Sequence, residues 1–320
     1  MGMGEDTGIK VRDIAFARVA VPDLEVAERF LTDFGLITVA RDGPKLFMRG
    51  AGPAHHIYVA ELGEPRLIGF AFAVQSEADL ARAARLPGSI SGVEDIGEPG
   101  GGKRVRLREP GGYQIEIVHG IDALPELETN QQALNTGAAP LARKGDLFRL
   151  PAGQLPVIRI AHGVLVTPKL QETTDWFRDN LGLVCSDAVY AGSPDNVIGS
   201  FNRCDCGDDF VDHHTLALFN FGDMKGMHHI SFEVADIDAV MAGHHYLKAL
   251  GRYEHRWGVG RHMLGSQVFA YWSAPWGRGH ERWADSDRLS NAAGSGIASV
   301  EELASNWGGP QPETFTQAMP

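Results

Sequence analysis

Cysteine is scarce in this 320-residue chain: Cys185, Cys204 and Cys206 are the only three. That number excludes a disulfide framework, and the Cys204-Asp205-Cys206 spacing is too short for half of a structural zinc site. Basic residues are also short, with 29 Lys and Arg against 41 Asp and Glu and a formal charge of −12. Such a balance repels phosphate backbones and argues against a nucleic-acid partner. Long apolar runs are missing, as is an N-terminal basic stretch followed by an apolar one, so neither membrane insertion nor secretion is expected. The expected location is cytoplasmic. Histidine, by contrast, is plentiful and lopsided: of 13, ten lie from His162 onward. The second half is therefore where chemistry should be sought.

Two stretches begin alike. Residues 14 to 35 read IAFARVAVPDLEVAERFLTDFG, and residues 160 to 182 read IAHGVLVTPKLQETTDWFRDNLG. Each reads as an alternating strand, a proline-marked turn, an amphipathic helix of about three turns and a closing glycine. Strand-like segments follow in both halves: KLFMRG and HHIYVAEL, then VIGSFN and HHTLALFNF. Each half then opens a second such unit. GFAFAV precedes the helical SEADLARAARL, and HHISFEV precedes the helical DIDAVMAGHHYLKALG. These units close in KRVRLREPGGYQIEIVHG and SQVFAYWSAPWGRGHERW. Four strand–helix–strands units give an α+β protein of two domains, each of two βαβββ modules. The boundaries read as 10–121 for the first pair, 122–156 for a connection without periodicity, 157–287 for the second pair and 288–320 for a tail. The tail carries one helix-like stretch, SVEELASNW, and is expected to wrap the surface or fray.

Paired modules of this kind, ending in Pro-x-Gly followed by a carboxylate, resemble the vicinal oxygen chelate superfamily. The two-domain form is similar to type I extradiol ring-cleavage dioxygenases. The likeness is most specific in IAHGVLVTP, HHTLAL, GMHHISFEV, GVGRH…VFAY and PWGRGHE. It implies His162, His229 and Glu281 as metal ligands, the last six residues after Pro275. It further implies His213 as the acid–base residue, with His262 and Tyr271 as active-site contacts. The implied cofactor is Fe(II), with Mn(II) the other candidate. The implied partners are a catechol-type aromatic diol and O₂, on a homo-oligomer. His280 before the glutamate and Trp283 two residues after it depart from the family's usual residues.

Strand phase supports part of this set. Side chains alternate across a strand, so one histidine of each pair faces a given side. In MHHISFEV, Ile230, Phe232 and Val234 form an apolar face, which leaves His229, Ser231 and Glu233 on the other. In HHTLAL, the same reading places His214 with Leu216 and Leu218, and His213 opposite. Two imidazoles and one carboxylate with open positions opposite suit non-haem Fe(II). No His-x-Asp or His-x-Glu occurs, which weakens the rival Fe(II) pattern. His244 and His245 read as solvated and His280 as structural. In the first half, Phe16 and Gly69 stand where His162 and His229 would, and Glu116 where Glu281 would; this half is expected to keep the fold without the metal. A glyoxalase-like isomerase, with His213 as a fourth ligand, and a non-catalytic binding protein are the two other classes on this scaffold.

Overall fold

In a computed structural model, residues 8–129 and 132–316 are described. The first half runs β1 (Asp13–Val21), α1 (Leu24–Phe34), β2 (Ile37–Asp42), β3 (Lys45–Arg49) and β4 (Tyr58–Leu62). It continues with β5 (Arg66–Ala73), α2 (Glu77–Ala83), β6 (Glu94–Asp95), β7 (Lys103–Arg108) and β8 (Gln114–His119). The second half opens with β9 (Val157–Val166), α3 (Leu170–Leu181), β10 (Leu183–Tyr190), β11 (Val197–Cys204), β12 (Val211–Asp212) and β13 (Leu216–Phe219). Then come β14 (Gly226–Val234), α4 (Ile237–Leu250), β15 (Glu254–His262), β16 (Val268–Ser273) and β17 (Gly279–Ala284). Three short strands complete the chain: β18 (Arg288–Leu289), β19 (Gly296–Ser299) and β20 (Ser305–Trp307).

Local chemistry sets the helix ends. Asp23 caps α1 by accepting from the backbone N–H groups of Glu25 and Val26. Gly35 closes that helix at φ 108°, and Gly182 closes α3 at φ 68°, a left-handed conformation that glycine adopts without a Cβ penalty. One face of α1 buries Ala27, Phe30, Leu31 and Phe34 against the sheet.

The two large sheets are built alike. The first has strand order β2-β3-β4-β1-β5-β8-β7-β6, and the second has β19-β10-β11-β13-β9-β14-β17-β16-β15-β20. At each centre two antiparallel strands, β1 with β5 and β9 with β14, are flanked by parallel partners: β4 and β8 in the first sheet, β13 and β17 in the second. The main core is continuous between halves, joining Phe30, Phe34 and Phe70 to Phe177, Ile230 and Phe232. Arg282 clamps that junction, donating to the carbonyls of Phe34 and Leu155. Gly243 on α4 leaves the room, since a Cβ there would lie 2.4 Å from Arg282 Nε.

Two expectations change. Of the two alternatives for the tail, its described residues wrap: β19 pairs with β10 and β20 with β15, extending the second sheet at both edges. The SVEELASNW stretch is a 3₁₀ turn over Val300–Leu303 followed by β20, because only one short apolar turn is available between the strands. Residues 317–320 lie outside the described residues. His244 is buried rather than solvated, its ring 4.7 Å from His255 and 5.5 Å from Trp272; His245 is exposed.

The first half shows what fills the position equivalent to Glu281. Glu116 sits in register with Ala71, which pairs with Phe16, so the row carries no second ligand. Arg18, 4% exposed, donates through Nε to Glu116 Oε1 at 2.7 Å and also reaches Glu98 at 2.8 Å and Glu61 at 2.6 Å. Burial opposes the charge, but the carboxylates more than offset this and raise the guanidinium's pKa further. Glu98, which burial alone would raise, is held at about 2 by Arg18 and Lys45. Its contribution is thus present above the usual carboxylate range and is lost as pH falls towards 2. Arg18→Ala is expected to cost about 3–5 kcal/mol by leaving these carboxylates unpaired. Urea unfolding should show it as a lower midpoint, and an unchanged midpoint would refute the clamp.

Candidate active site

The register of the second sheet assembles the site. His162 on β9 lies opposite Ser231 on β14, Ser231 opposite Glu281 on β17, and Glu281 opposite Tyr271 on β16. Side chains in one row point to one face, so four neighbouring strands deliver these groups together. His229 lies two residues before Ser231 and shares its face. His162 Nε2 is 3.2 Å from Glu281 Oε2, and His229 Nε2 is 3.5 Å from the same oxygen. One donor atom from each of the three lies within 4.8 Å of the others, and all three residues are buried. Among the described residues no other group of three His, Cys, Asp or Glu comes so close, in either half.

Electrostatics prepare these groups for a cation. Burial lowers the His229 pKa to about 4, so the ring is neutral and offers a lone pair. Burial would raise Glu281, yet the neighbouring imidazoles, His162 foremost, hold it well below the usual carboxylate range. Ser231, fully buried, donates to Glu281 Oε2. His229 Nε2 is buried without a hydrogen-bond partner among the described residues. An orphaned imidazole nitrogen, a second imidazole and an ionised carboxylate on one face are the donor set that a divalent metal takes.

His262 and Tyr271 stand beside this set. His262 Nε2 is 2.8 Å from the Tyr271 hydroxyl and 3.6 Å from Glu281 Oε1, and the Tyr271 ring lies 5.0 Å from that of His229.

His213 is placed differently from its expectation. Its ring turns to Asp187, with Nε2 2.7 Å from Oδ2, and it does not line the cavity at the site. His214 does, with its ring centroid 4.1 Å from that of His162. The alternation argument failed because β13 begins only at Leu216. Residues 213 to 215 form an irregular approach, where period-two phase has no meaning. Burial and the neighbouring imidazoles of His162 and His213 hold His214 well below the usual histidine range. His280 points away from the site, fully buried among Phe30, Phe34, Phe232 and Trp276, with Nδ1 3.2 Å from the Arg278 carbonyl.

The cavity is about 200 Å³ and largely apolar, walled by Val164, Phe201, Phe219 and Leu264. The tail contributes Val300, Leu303 and Phe315, none of which was a site candidate from sequence. Phe315 also accepts a hydrogen bond through its carbonyl from His228 Nε2. His228 therefore borders the cavity as well, beside its inward-facing neighbour.

No family model matches the sequence. The chain is 33% identical over 311 residues to metapyrocatechase 2 of Cupriavidus necator, spanning 96% of this chain and 92% of that protein. In shape it is similar to the Mn(II)-bound glyoxalase from Novosphingobium aromaticivorans, with a TM-score of 0.79 and 23% identity over 97% of this chain and 95% of that one. It is also similar to homoprotocatechuate 2,3-dioxygenase from Arthrobacter globiformis, with a TM-score of 0.78 and 21% identity over 97% and 92% of the two chains. The two structural likenesses show the paired-module fold, and the longer sequence identity shows the family. With its site built on the matching modules, this chain belongs to the extradiol ring-cleaving dioxygenases of the vicinal oxygen chelate superfamily, enzymes that work with a divalent metal.

Proposed function

We propose that the protein cleaves an uncharged catechol-type diol with O₂ at an Fe(II) held by His162, His229 and Glu281. The observation carrying this reading is the convergence of two imidazoles and one carboxylate on one apolar cavity. His162, His229 and Glu281 would hold the metal, which would supply Lewis acidity towards the diol and redox chemistry towards O₂. The residues supply the rest. His214 takes a proton from a diol hydroxyl and returns it during ring cleavage. Tyr271 and His262, linked at 2.8 Å, hydrogen-bond a substrate oxygen and set its orientation. The apolar wall excludes water and grips the ring face. Among the described lining residues there is no Lys or Arg, and Glu302 stands among them. A carboxylate-bearing ring would find no counter-charge there, so an unsubstituted or alkyl-substituted diol fits better.

In the same reading, 157–287 is the catalytic pair of modules, 10–121 keeps the fold without the metal, and 122–156 joins them. Location in the cytoplasm and assembly as a homo-oligomer complete it; among the described residues, no helix is long and apolar enough to cross a membrane. A four-ligand isomerase would call on His213, whose imidazole is turned to Asp187 instead. Anaerobic loading with Fe(II) or Mn(II), followed by oxygen uptake on a diol panel, tests the proposal. One O₂ per diol is expected with alkyl catechols on the Fe(II) form, and much less turnover with carboxylated ones. Full loading with iron but no uptake on any diol would overturn it.

A further inference from the structure

We infer that Asp187 and His213 are positioning residues that fix the ring tautomer of His214, an inference that rests on His214 as the acid–base group. Both ring nitrogens of His213 are engaged. Nε2 is 2.7 Å from Asp187 Oδ2, and Nδ1 is 3.0 Å from His214 Nδ1. A carboxylate only accepts, so the His213 proton sits on Nε2 and, in the neutral ring, Nδ1 must accept. His214 therefore donates through Nδ1–H, and its Nε2 keeps the lone pair for the cavity. That is the form able to take a proton from a diol hydroxyl. The imidazolium so formed is stabilised through His213 by the Asp187 carboxylate until the proton is returned.

The surroundings hold this chain in place. Asp187 on β10 pairs with Phe201 on β11, whose ring packs 5.7 Å from His213 and 4.8 Å from His214. On its other side Asp187 pairs with Gly296 of β19. A Cβ at Gly296 would lie 2.0 Å from Asp187 Oδ1, so the tail strand passes where only glycine leaves the carboxylate its place. The construction recurs at the metal ligand. His228 Nε2 donates to the Phe315 carbonyl, which also can only accept, and His228 Nδ1 is 2.7 Å from His229 Nδ1. His229 Nε2 is thereby left bare towards Glu281 and His162. In each pair the outer histidine, anchored on a pure acceptor, sets which nitrogen the inner one presents.

The test uses the metal-loaded full chain. Asp187→Ala is expected to lower kcat about 10- to 100-fold, the usual effect of losing such a supporting partner. Metal content and KM for the diol should stay within about twofold, and Asp187→Glu should recover most of kcat. His213→Phe should cause a similar fall, with no further loss when combined with Asp187→Ala, because both cut one chain. Additive losses, or a kcat within twofold of wild type in Asp187→Ala, would overturn the inference. Should Asp187→Ala fail to fold, Asp187→Leu, of similar size and without an acceptor, replaces it, and an unchanged kcat counts against the inference. Failure of the underlying reading is separate, since it would appear as full activity in His214→Asn whatever Asp187 does.

Discussion

Glu281→Gln is expected to abolish oxygen uptake and to lower metal affinity by more than about 100-fold, since supporting partners of a ligand already cost 10–100-fold. The amide keeps the size of the side chain but removes the single negative charge facing His162 and His229. An imidazole binds a metal through an uncharged nitrogen, so nothing else in the set would offset the metal's charge. Metal content per folded chain, measured after dialysis against a weak chelator, is the readout. Glu116→Gln serves as the control, because that carboxylate already faces the Arg18 guanidinium at 2.7 Å. Full metal stoichiometry in Glu281→Gln, or loss of metal in Glu116→Gln, would contradict the assignment.

His214→Asn should act on the chemistry alone. A general acid–base group contributes about 10²–10⁴-fold, so kcat is expected to fall by that factor with metal content and KM little changed. His213→Asn should cost less, because His213 reaches the cavity only through its neighbour. Steady-state kinetics on the two variants side by side decide the matter. An inert His213→Asn beside an unaffected His214→Asn would mean that proton transfer runs through another group, Tyr271 being the nearest at hand.

The fold was legible because it is written twice. The strand–turn–helix–glycine openings at residues 14 and 160, and the second openings at GFAFAV and HHISFEV, repeat one grammar, and period-two alternation holds wherever a strand is regular. His229 shares the face of Ser231 for that reason: it lies inside β14, with apolar Ile230 and Phe232 facing the core. His213 was chosen over His214 by the same rule applied two residues before β13 begins, where the backbone is irregular. The tail escaped notice because strands of three or four residues and single 3₁₀ turns bury too few side chains to imprint a period. His244 was misjudged because a helix of mixed polarity does not announce that Trp272 will cover one of its turns.

Arg18 and the metal answer the same need in two currencies of supply. In each half a buried glutamate at the same register position demands a positive partner. The first half grew its own, attached by a covalent chain and made with the polypeptide. On the proposed reading the second half takes its counter-charge from solution, as a divalent cation. The first half would then carry its counter-charge from synthesis, whereas the second would depend on the supply of that ion. Chelating the ion would unsettle one half of the protein and leave the other as it was.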